Sequence, residues 1–357
     1  MERNMWDSTK LGNLQLNHRF ALSPMTRNRA NPDGTPGPWA AQYYAQRAGL
    51  GLLITEGTQP SADGQGYLNS PGIYHQDHIE GWKAVTDAVH RGGGHLFIQL
   101  MHAGRIAHPD NTPHHRQPVA PSAIGAGQTI TTPTGHQTTA EPRELSTEEV
   151  RATVQEFRTA AAAAVAAGAD GVEIHGANGY LIHQFFSPNA NHRTDLYGGS
   201  IKNRARFALE VAQAVSDEIG PERTGIRLSP LSPTGGLIEG PEAKELYSYL
   251  AQELAKISLA YVHVFHFGDE ELLAAIRSNW PGPLLLVRKG RTLETLHKDV
   301  VSGLADIIPI GTLALANPDF VERYRTGATM NEPDRTTFFR GGEKGYIDYP
   351  TFEQSAK

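Results

Sequence analysis

The sequence contains no cysteine, which excludes disulfide bonds, thiolate metal sites and iron–sulfur clusters. No apolar run approaches the roughly 18 residues of a membrane-spanning helix. The first residues, Met1-Glu2-Arg3-Asn4-Met5-Trp6, contain no apolar secretion segment. We therefore expect a cytoplasmic protein that does not enter a membrane.

An excess of positive charge is also missing. The 357 residues include 32 Lys and Arg against 38 Asp and Glu, a net charge of −6. Such a chain has no general attraction to nucleic acid or anionic lipid, so any anion site must be local. The 39% hydrophobic content is adequate for a large core. The expected partners are small molecules, and we expect a monomer or a homodimer.

Eight short apolar runs alternate with amphipathic helical patterns, and each run is typical of a β-strand. Repeated strand–helix units predict a parallel sheet, and eight of them favour closure into an α/β (β/α)₈ TIM barrel. A doubly wound sheet is disfavoured because no Gly-x-Gly-x-x-Gly motif opens a helix near the start. We predict one barrel domain over residues 1–357, with strands at Phe20–Leu22, Leu52–Thr55, Leu96–Leu100, Val172–His175, Gly225–Leu228, Tyr261–Val264, Leu284–Val287 and Ile307–Ile310.

Three further segments have local signatures. Ser146 and Glu149 form a capping box at the start of a helix. The stretch from Leu11 to Leu16 predicts a small hairpin that closes the bottom of the barrel. The stretch from His102 to Arg143, rich in Pro, Gly, Thr and His, is too long for an ordinary connection, and we interpret it as a lid over the mouth.

The most informative segment runs from Gly171 to Gln184, where an apolar strand ends in three closely spaced polar side chains. His175 and Asn178 can donate two hydrogen bonds to one oxygen of a carbonyl or nitro group, and Tyr180 can deliver a proton. Barrel enzymes place their sites at the carboxyl ends of the strands, where these residues lie. The pattern indicates reduction of an activated double bond.

This segment, together with Leu22-Ser23-Pro24-Met25-Thr26-Arg27, resembles the Old Yellow Enzyme family of FMN-dependent ene-reductases, from about Leu11 to Pro350. The resemblance implies an oxidoreductase that binds FMN and reduces the C=C bond of α,β-unsaturated carbonyl or nitro compounds with NADPH or NADH. It makes Tyr180, His175 and Asn178 the catalytic residues. Family members carry His or Asn at the position of Asn178, and Asn does not titrate near neutrality.

The resemblance also implies the residues that hold the flavin ring. The ring needs a donor at O4, partners along N3 and O2, and positive charge near N1. Thr26 would contact O4, Gln99 the pyrimidine edge and Arg227 N1. Pro24 and Met25 would back the ring, and Gly57 would line it.

The FMN phosphate is expected between the loops after strands 7 and 8. Here the chain departs from its relatives, because Thr312 stands where they usually carry arginine. Gly290 and Gly311 still allow close backbone approach. We expect Arg288 or Arg291 to restore the missing charge from the neighbouring loop.

Three positions are expected to shape the substrate pocket. Met101 replaces a tryptophan common among relatives, Tyr67 matches a family aromatic, and Phe339 stands where many relatives have tyrosine. No metal site is expected, since the histidines of the lid lack metal-ligand spacing.

Three alternatives stay open at this point. The flavin barrel could reduce nitrate esters or nitro groups, or isomerise a double bond. A non-redox hydrolase could use Glu56 and Glu173, although Glu173 shares a strand face with His175 and is expected to form a structural ion pair inside the barrel. A noncatalytic relative could bind little flavin.

Overall fold

The computed structural model describes residues 3–355 and is built on an eight-stranded parallel sheet. Neighbouring strands follow chain order around the sheet, except that the last strand lies beside the first. A bridge between Leu285 and Ile307 joins the two edges and closes the barrel. The predicted fold is therefore confirmed, with strands β1 (Phe20–Leu22), β2 (Leu52–Ile54), β3 (His95–Leu100), β4 (Gly171–Gly176), β5 (Thr224–Leu228), β6 (Tyr261–His266), β7 (Leu284–Arg288) and β8 (Ile308–Ile310).

The strand ends differ slightly from the predicted ones. Thr55 lies just past β2, and β6 continues to His266 because Phe265 and His266 pair with the end of β7. Apolar patterning does not report such backbone pairing, so strand existence was predictable and exact length was not.

Helices surround the barrel and bury their apolar faces against it. Ser146 and Glu149 form the predicted capping box. The helices are Ala40–Ala45, Gln76–Arg91, Thr147–Ala166, Leu181–Phe186, Ile201–Ile219, Ala243–Ile257, Glu270–Asn279, Lys298–Val301, Thr312–Ala316, Phe320–Thr326 and Phe352–Ser355. Short 3₁₀ turns lie at Ala48–Leu50, Ala62–Gly64, Pro109–Asn111, Pro221–Arg223, Thr234–Gly236, Leu293–Thr295 and Arg335–Thr337.

An antiparallel hairpin, Thr9–Leu11 with Leu14–Leu16, closes the bottom of the barrel as predicted. Its Leu11 and Leu16 are buried in the same cluster as Ile54 and Phe97 of the barrel interior. This apolar plug leaves the carboxyl ends of the strands as the end that is open to a ligand.

The predicted lid is an extended segment with a hairpin of its own, Thr129–Thr132 paired with Gly135–Thr138. Val119–Ala120 pairs in parallel with Arg143–Glu144 at its end. Residues of the hairpin line a cavity of about 650 Å³ together with Tyr67, Tyr180 and Phe339, so the lid lies over the mouth of the barrel. Within residues 3–355, no helix is long and apolar enough to cross a membrane.

Candidate active site

A cavity of about 370 Å³ opens at the carboxyl ends of the strands. Most of the predicted site residues line it, although they come from distant parts of the chain. The structure brings together Pro24, Met25, Thr26, Gln99, Met101, His175, Asn178, Tyr180, Arg227, Gly311, Thr312 and Phe339. Tyr67 lines the adjoining larger cavity instead.

Gln99 is oriented by a buried carboxylate beneath the cavity. Parallel pairing of β3 and β4 sets Gln99 beside Glu173, and the Gln99 Nε2 donates to Glu173 Oε1 at 2.7 Å. A carboxylate only accepts hydrogen bonds, so the Gln99 Oε1 remains free as an acceptor. A ligand with an N–H on this edge would fit it.

Glu173 has the structural use expected from its strand position, but its partner is a histidine whose pKa is lowered by burial, so the contact is a hydrogen bond to a neutral ring and not the expected ion pair. Its Oε2 lies 2.8 Å from His263 Nδ1, and both side chains are fully buried. Burial raises the pKa of Glu173, but His263 and Arg227 outweigh that effect and hold the pKa below its ordinary value. The carboxylate stays ionised below the cavity floor and does not line the cavity.

Arg227 presents a buried donor without a protein partner. Its Nε is inaccessible to solvent and has no hydrogen-bond acceptor among residues 3–355. The guanidinium carbon lies 5.6 Å from the centre of the Phe265 ring. Because an unpaired buried donor is costly, the site fits a ligand that accepts hydrogen bonds or carries negative charge at this edge.

Apolar side chains form the remaining walls of the slot. Met25, Phe265, Val287 and Leu315 line the cavity, and Thr26 adds a hydroxyl. Gly57 lies behind Met101, where a side-chain carbon would come 2.4 Å from the Met101 sulfur. A flat ring with one polar edge, such as the isoalloxazine of FMN, fits this combination of walls, acceptor and cation.

The predicted phosphate residues separate into two groups. Gly311 and Thr312 line the cavity, whereas Arg288, Gly290 and Arg291 lie outside its lining. Asp299 binds both arginines, with Arg288 Nε at 2.9 Å and Arg291 Nη1 at 2.6 Å, and Arg288 also binds Glu270. The structure therefore does not place either cation at the cavity wall, and its contact with phosphate stays a prediction.

The hydrogen bonds of His175 settle which ring nitrogen faces the cavity as a donor. The Ala177 backbone N–H donates to His175 Nδ1 at 3.2 Å, so a neutral ring carries its hydrogen on Nε2. Burial, reinforced by the positive charge of Arg227, lowers the pKa of His175 well below its ordinary value. The ring is thus a neutral hydrogen-bond donor.

Asn178 occupies a left-handed backbone conformation, with φ of 53°, which asparagine tolerates better than most residues. Its backbone N–H donates to Ser229 Oγ at 2.7 Å, and its side-chain amide makes no hydrogen bond with the described part of the protein. The amide is therefore available to a ligand beside His175.

Tyr180 completes this wall. Its hydroxyl lies 2.9 Å from the hydroxyl of Tyr67, and its ring packs edge-on against His175 with centroids 4.9 Å apart. Burial and the neighbouring Tyr67 raise the pKa of Tyr180 well above its ordinary value. The phenol therefore keeps its proton at neutral pH and can donate it.

The roof of the cavity depends on arginines that the sequence analysis missed. Arg27 Nε donates to Phe338 O at 3.0 Å, and Arg29 Nη2 donates to Thr337 O at 2.9 Å. These bonds hold the segment that carries Phe338 and Phe339 over the slot. Their partners lie about 310 residues away and are backbone carbonyls, so no local pattern signals them.

The two carboxylates considered for a hydrolase, Glu56 and Glu173, bind other protein groups outside the cavity. Glu56 is buried, accepts from the Arg27 backbone N–H at 3.0 Å, and has a pKa raised by burial to about 7. Neither it nor Glu173 lines the catalytic cavity. A closed, plugged barrel with a flat polar-edged slot and an adjacent proton donor instead belongs to the class of flavin-dependent oxidoreductases.

Comparisons with known proteins agree with this class. Residues 5–331 match the family described as NADH:flavin oxidoreductase / NADH oxidase. The chain is 42% identical to 12-oxophytodienoate reductase 1 of Oryza sativa subsp. japonica, covering 97% of this chain and 92% of that protein. It is 40% identical to a probable flavin mononucleotide-dependent alkene reductase of Leishmania infantum, covering 95% of each. The solved structure of morphinone reductase superposes with a TM-score of 0.95 at 39% identity, covering 100% of this chain and 98% of that one.

The chain therefore belongs to the NADH:flavin oxidoreductase / NADH oxidase family. Its resemblance to the Old Yellow Enzymes is confirmed, as is the prediction of an FMN-dependent oxidoreductase that takes electrons from a reduced nicotinamide. The non-redox hydrolase alternative is wrong.

Proposed function

We propose that this barrel reduces the C=C bond of α,β-unsaturated carbonyl or nitro compounds, and that His175, Asn178 and Tyr180 carry the substrate chemistry. One observation carries the proposal: two unengaged donors, His175 Nε2 and the Asn178 amide, share a cavity wall with a buried neutral phenol. The names of relatives that act on alkenes and on 12-oxophytodienoate support the same substrate class.

His175 and Asn178 hold the substrate oxygen and withdraw electron density from the conjugated double bond. Their two hydrogen bonds also fix the substrate plane against the apolar walls of the slot. FMN, when bound, supplies the hydride that a reduced nicotinamide has delivered to it. Tyr180 gives its proton to the α-carbon of the substrate and regains one from solvent. With the hydride that reduced FMN would add to the β-carbon, this balances the addition of two hydrogens.

Different residues would hold different parts of FMN. Thr26, Gln99 and Arg227 hold the polar edge of the ring, with Pro24 and Met25 behind it and Gly57 supporting the wall through Met101. The phosphate would be held by Gly311 and Thr312, with Gly290 and one of the two neighbouring arginines as its further ligands. Tyr67, Met101 and Phe339 shape the space left for substrate.

Further aspects of the function are part of the same proposal. The protein works in the cytoplasm, which supplies reduced nicotinamides, as a single FMN-binding domain in a monomer or homodimer. The electron donor is NADPH or NADH. A comparison of flavin reduction rates at equal concentrations of the two nucleotides distinguishes them.

The test compares Tyr180→Phe with Tyr67→Phe in the two half-reactions, followed separately by rapid mixing. Loss of a general acid typically costs about 10²- to 10⁴-fold, so Tyr180→Phe should slow reoxidation by an enone by that order. Flavin reduction should change little, because that step needs no proton on carbon. Tyr67→Phe removes the hydroxyl that bonds Tyr180 but keeps the acid, so the difference between the two variants separates loss of the acid from loss of its hydrogen-bond partner. Unchanged reoxidation in Tyr180→Phe would remove this residue from the acid role.

A further inference from the structure

Gly179 separates the two residues that must meet the substrate together, Asn178 and Tyr180. Its φ is +83°, and a side-chain carbon there would lie 2.5 Å from Thr234 O. One peptide group of Gly179 joins it to Asn178 and the other joins it to Tyr180. The orientation of these two peptide groups therefore sets the distance between the amide donor and the phenol.

The first peptide group is bound by His183. The Gly179 N–H donates to His183 Nδ1 at 3.0 Å. Because Nδ1 accepts, the neutral ring carries its hydrogen on Nε2, which lies 3.1 Å from Glu239 Oε1. The side chains of His183 and Glu239 are 0% and 1% exposed, so water does not compete for these bonds.

The second peptide group is bound by the next residue of the same helix. Gln184 Nε2 donates to Gly179 O at 2.8 Å and to Ala103 O at 3.1 Å. Its Oε1 accepts from the Arg105 backbone N–H at 3.1 Å. Both polar groups of Gly179 are thus held by side chains of the helix Leu181–Phe186.

Glu239 connects His183 to the loop after β5. It accepts hydrogen bonds from the Tyr247 hydroxyl and from the backbone N–H of Leu231, a residue with φ of +59°. Ser229 of the same loop accepts from the Asn178 N–H at 2.7 Å. Side chains of the loop and of the helix therefore both bind the turn.

We propose that His183 and Gln184 are positioning residues that clamp Gly179 and so set the placement of Asn178 relative to Tyr180, with Glu239 fixing the His183 ring. Neither side chain lines the catalytic cavity, so both act through the turn. This inference rests on the proposed roles of Asn178 and Tyr180.

The test uses His183→Phe and His183→Asn in the FMN-loaded full-length protein. Phenylalanine keeps the volume but leaves the Gly179 N–H unpaired, whereas the asparagine oxygen can take over from Nδ1. A displacement of about 1 Å at a reacting group can cost on the order of a hundredfold. We expect His183→Phe to slow reoxidation by an enone tenfold to a hundredfold, and His183→Asn to restore most of the rate.

Two further measurements separate positioning from general damage. Phenol affinity, read from long-wavelength absorption with oxidised flavin, should fall several-fold in His183→Phe and stay unchanged in His18→Phe. His18 is a buried histidine bonded to Gly49 O at the opposite end of the barrel. Glu239→Gln, which keeps the side-chain volume, should show a smaller loss of the same kind as His183→Phe.

A double-mutant cycle decides the inference. If His183 sets Asn178 relative to Tyr180, His183→Phe should slow reoxidation less in a Tyr180→Phe background than in the wild type, because only the loss through Asn178 remains. Equal slowing in both backgrounds, or none in either together with unchanged phenol affinity, would overturn the clamp. If Tyr180→Phe itself reoxidises like the wild type, the acid role fails, and the clamp then stands or falls on the phenol affinity of His183→Phe.

Discussion

Arg291→Ala should weaken FMN binding by on the order of tenfold to a hundredfold, because Arg291 has more unengaged nitrogens than Arg288, the other candidate phosphate cation. Arg288 uses Nε, Nη1 and Nη2 in bonds to Asp299, His266 and Glu270. Arg291 commits only Nη1, to Thr295 O and Asp299, so its Nε and Nη2 remain available. One charge-assisted bond contributes roughly 1.5–3 kcal/mol, and each 1.4 kcal/mol is about tenfold in affinity.

Arg288 is expected to act by holding Asp299. In Arg288→Ala combined with Arg291→Ala, the buried Asp299 loses both cations and would repel a phosphate. We therefore expect the double variant to lose at least as much FMN affinity as Arg291→Ala, and to unfold at a lower temperature. Adding Asp299→Asn to the double variant removes the carboxylate that has lost its cations. Weakening that persists in this triple variant is due to the lost cation.

The assay is titration of the apoprotein with FMN and with riboflavin, followed by quenching of flavin fluorescence. Riboflavin lacks the phosphate, so its affinity should be nearly the same in all variants. Thr312→Arg should raise the affinity for FMN if the new guanidinium fits beside the phosphate. If the double variant holds FMN as tightly as the wild type, charge compensation is refuted, and backbone amides near Gly290 and Gly311 become the main phosphate ligands.

Two other predictions concern the substrate oxygen. His175→Ala with Asn178→Ala should weaken phenol and enone binding while leaving flavin reduction partly intact, since we propose that both donors bind that oxygen. If the double variant kept both its phenol affinity and the long-wavelength absorption band of phenol with oxidised flavin, the proposed role of the two donors would be contradicted. Affinity for a neutral enone should also stay flat between about pH 6 and pH 8. Burial keeps the pKa of His175 well below its ordinary 6.5, so the ring gains charge only in more acidic solution, and a titration step near 6.5 would refute this.

The fold was largely predictable because eight buried apolar runs alternate with helical stripes, and parallel strands bring their carboxyl ends to one edge. The same rule gathered His175, Asn178 and Tyr180 on one wall. Phe265 and Val287 were overlooked since apolar residues at strand ends resemble ordinary core. Listing every side chain at those ends, polar or not, would have found them.

Long-range polar contacts were not predictable. Asp299 and Glu270 neutralise Arg288, but nothing near Arg288 in the sequence indicates that they are its partners. His183 was expected only to begin a helix, and its bond to Glu239 joins residues 56 positions apart. Such contacts depend on how loops pack against each other, which residue patterns within one segment do not report.

The most direct test of the account is an anaerobic absorption experiment on the FMN-loaded protein. The oxidised flavin bands should bleach on addition of NADPH or NADH and return when an enone is added, with the saturated ketone as product. A protein that stays colourless and inactive after reconstitution with FMN, or whose bands do not respond to either nucleotide, would contradict the central claim.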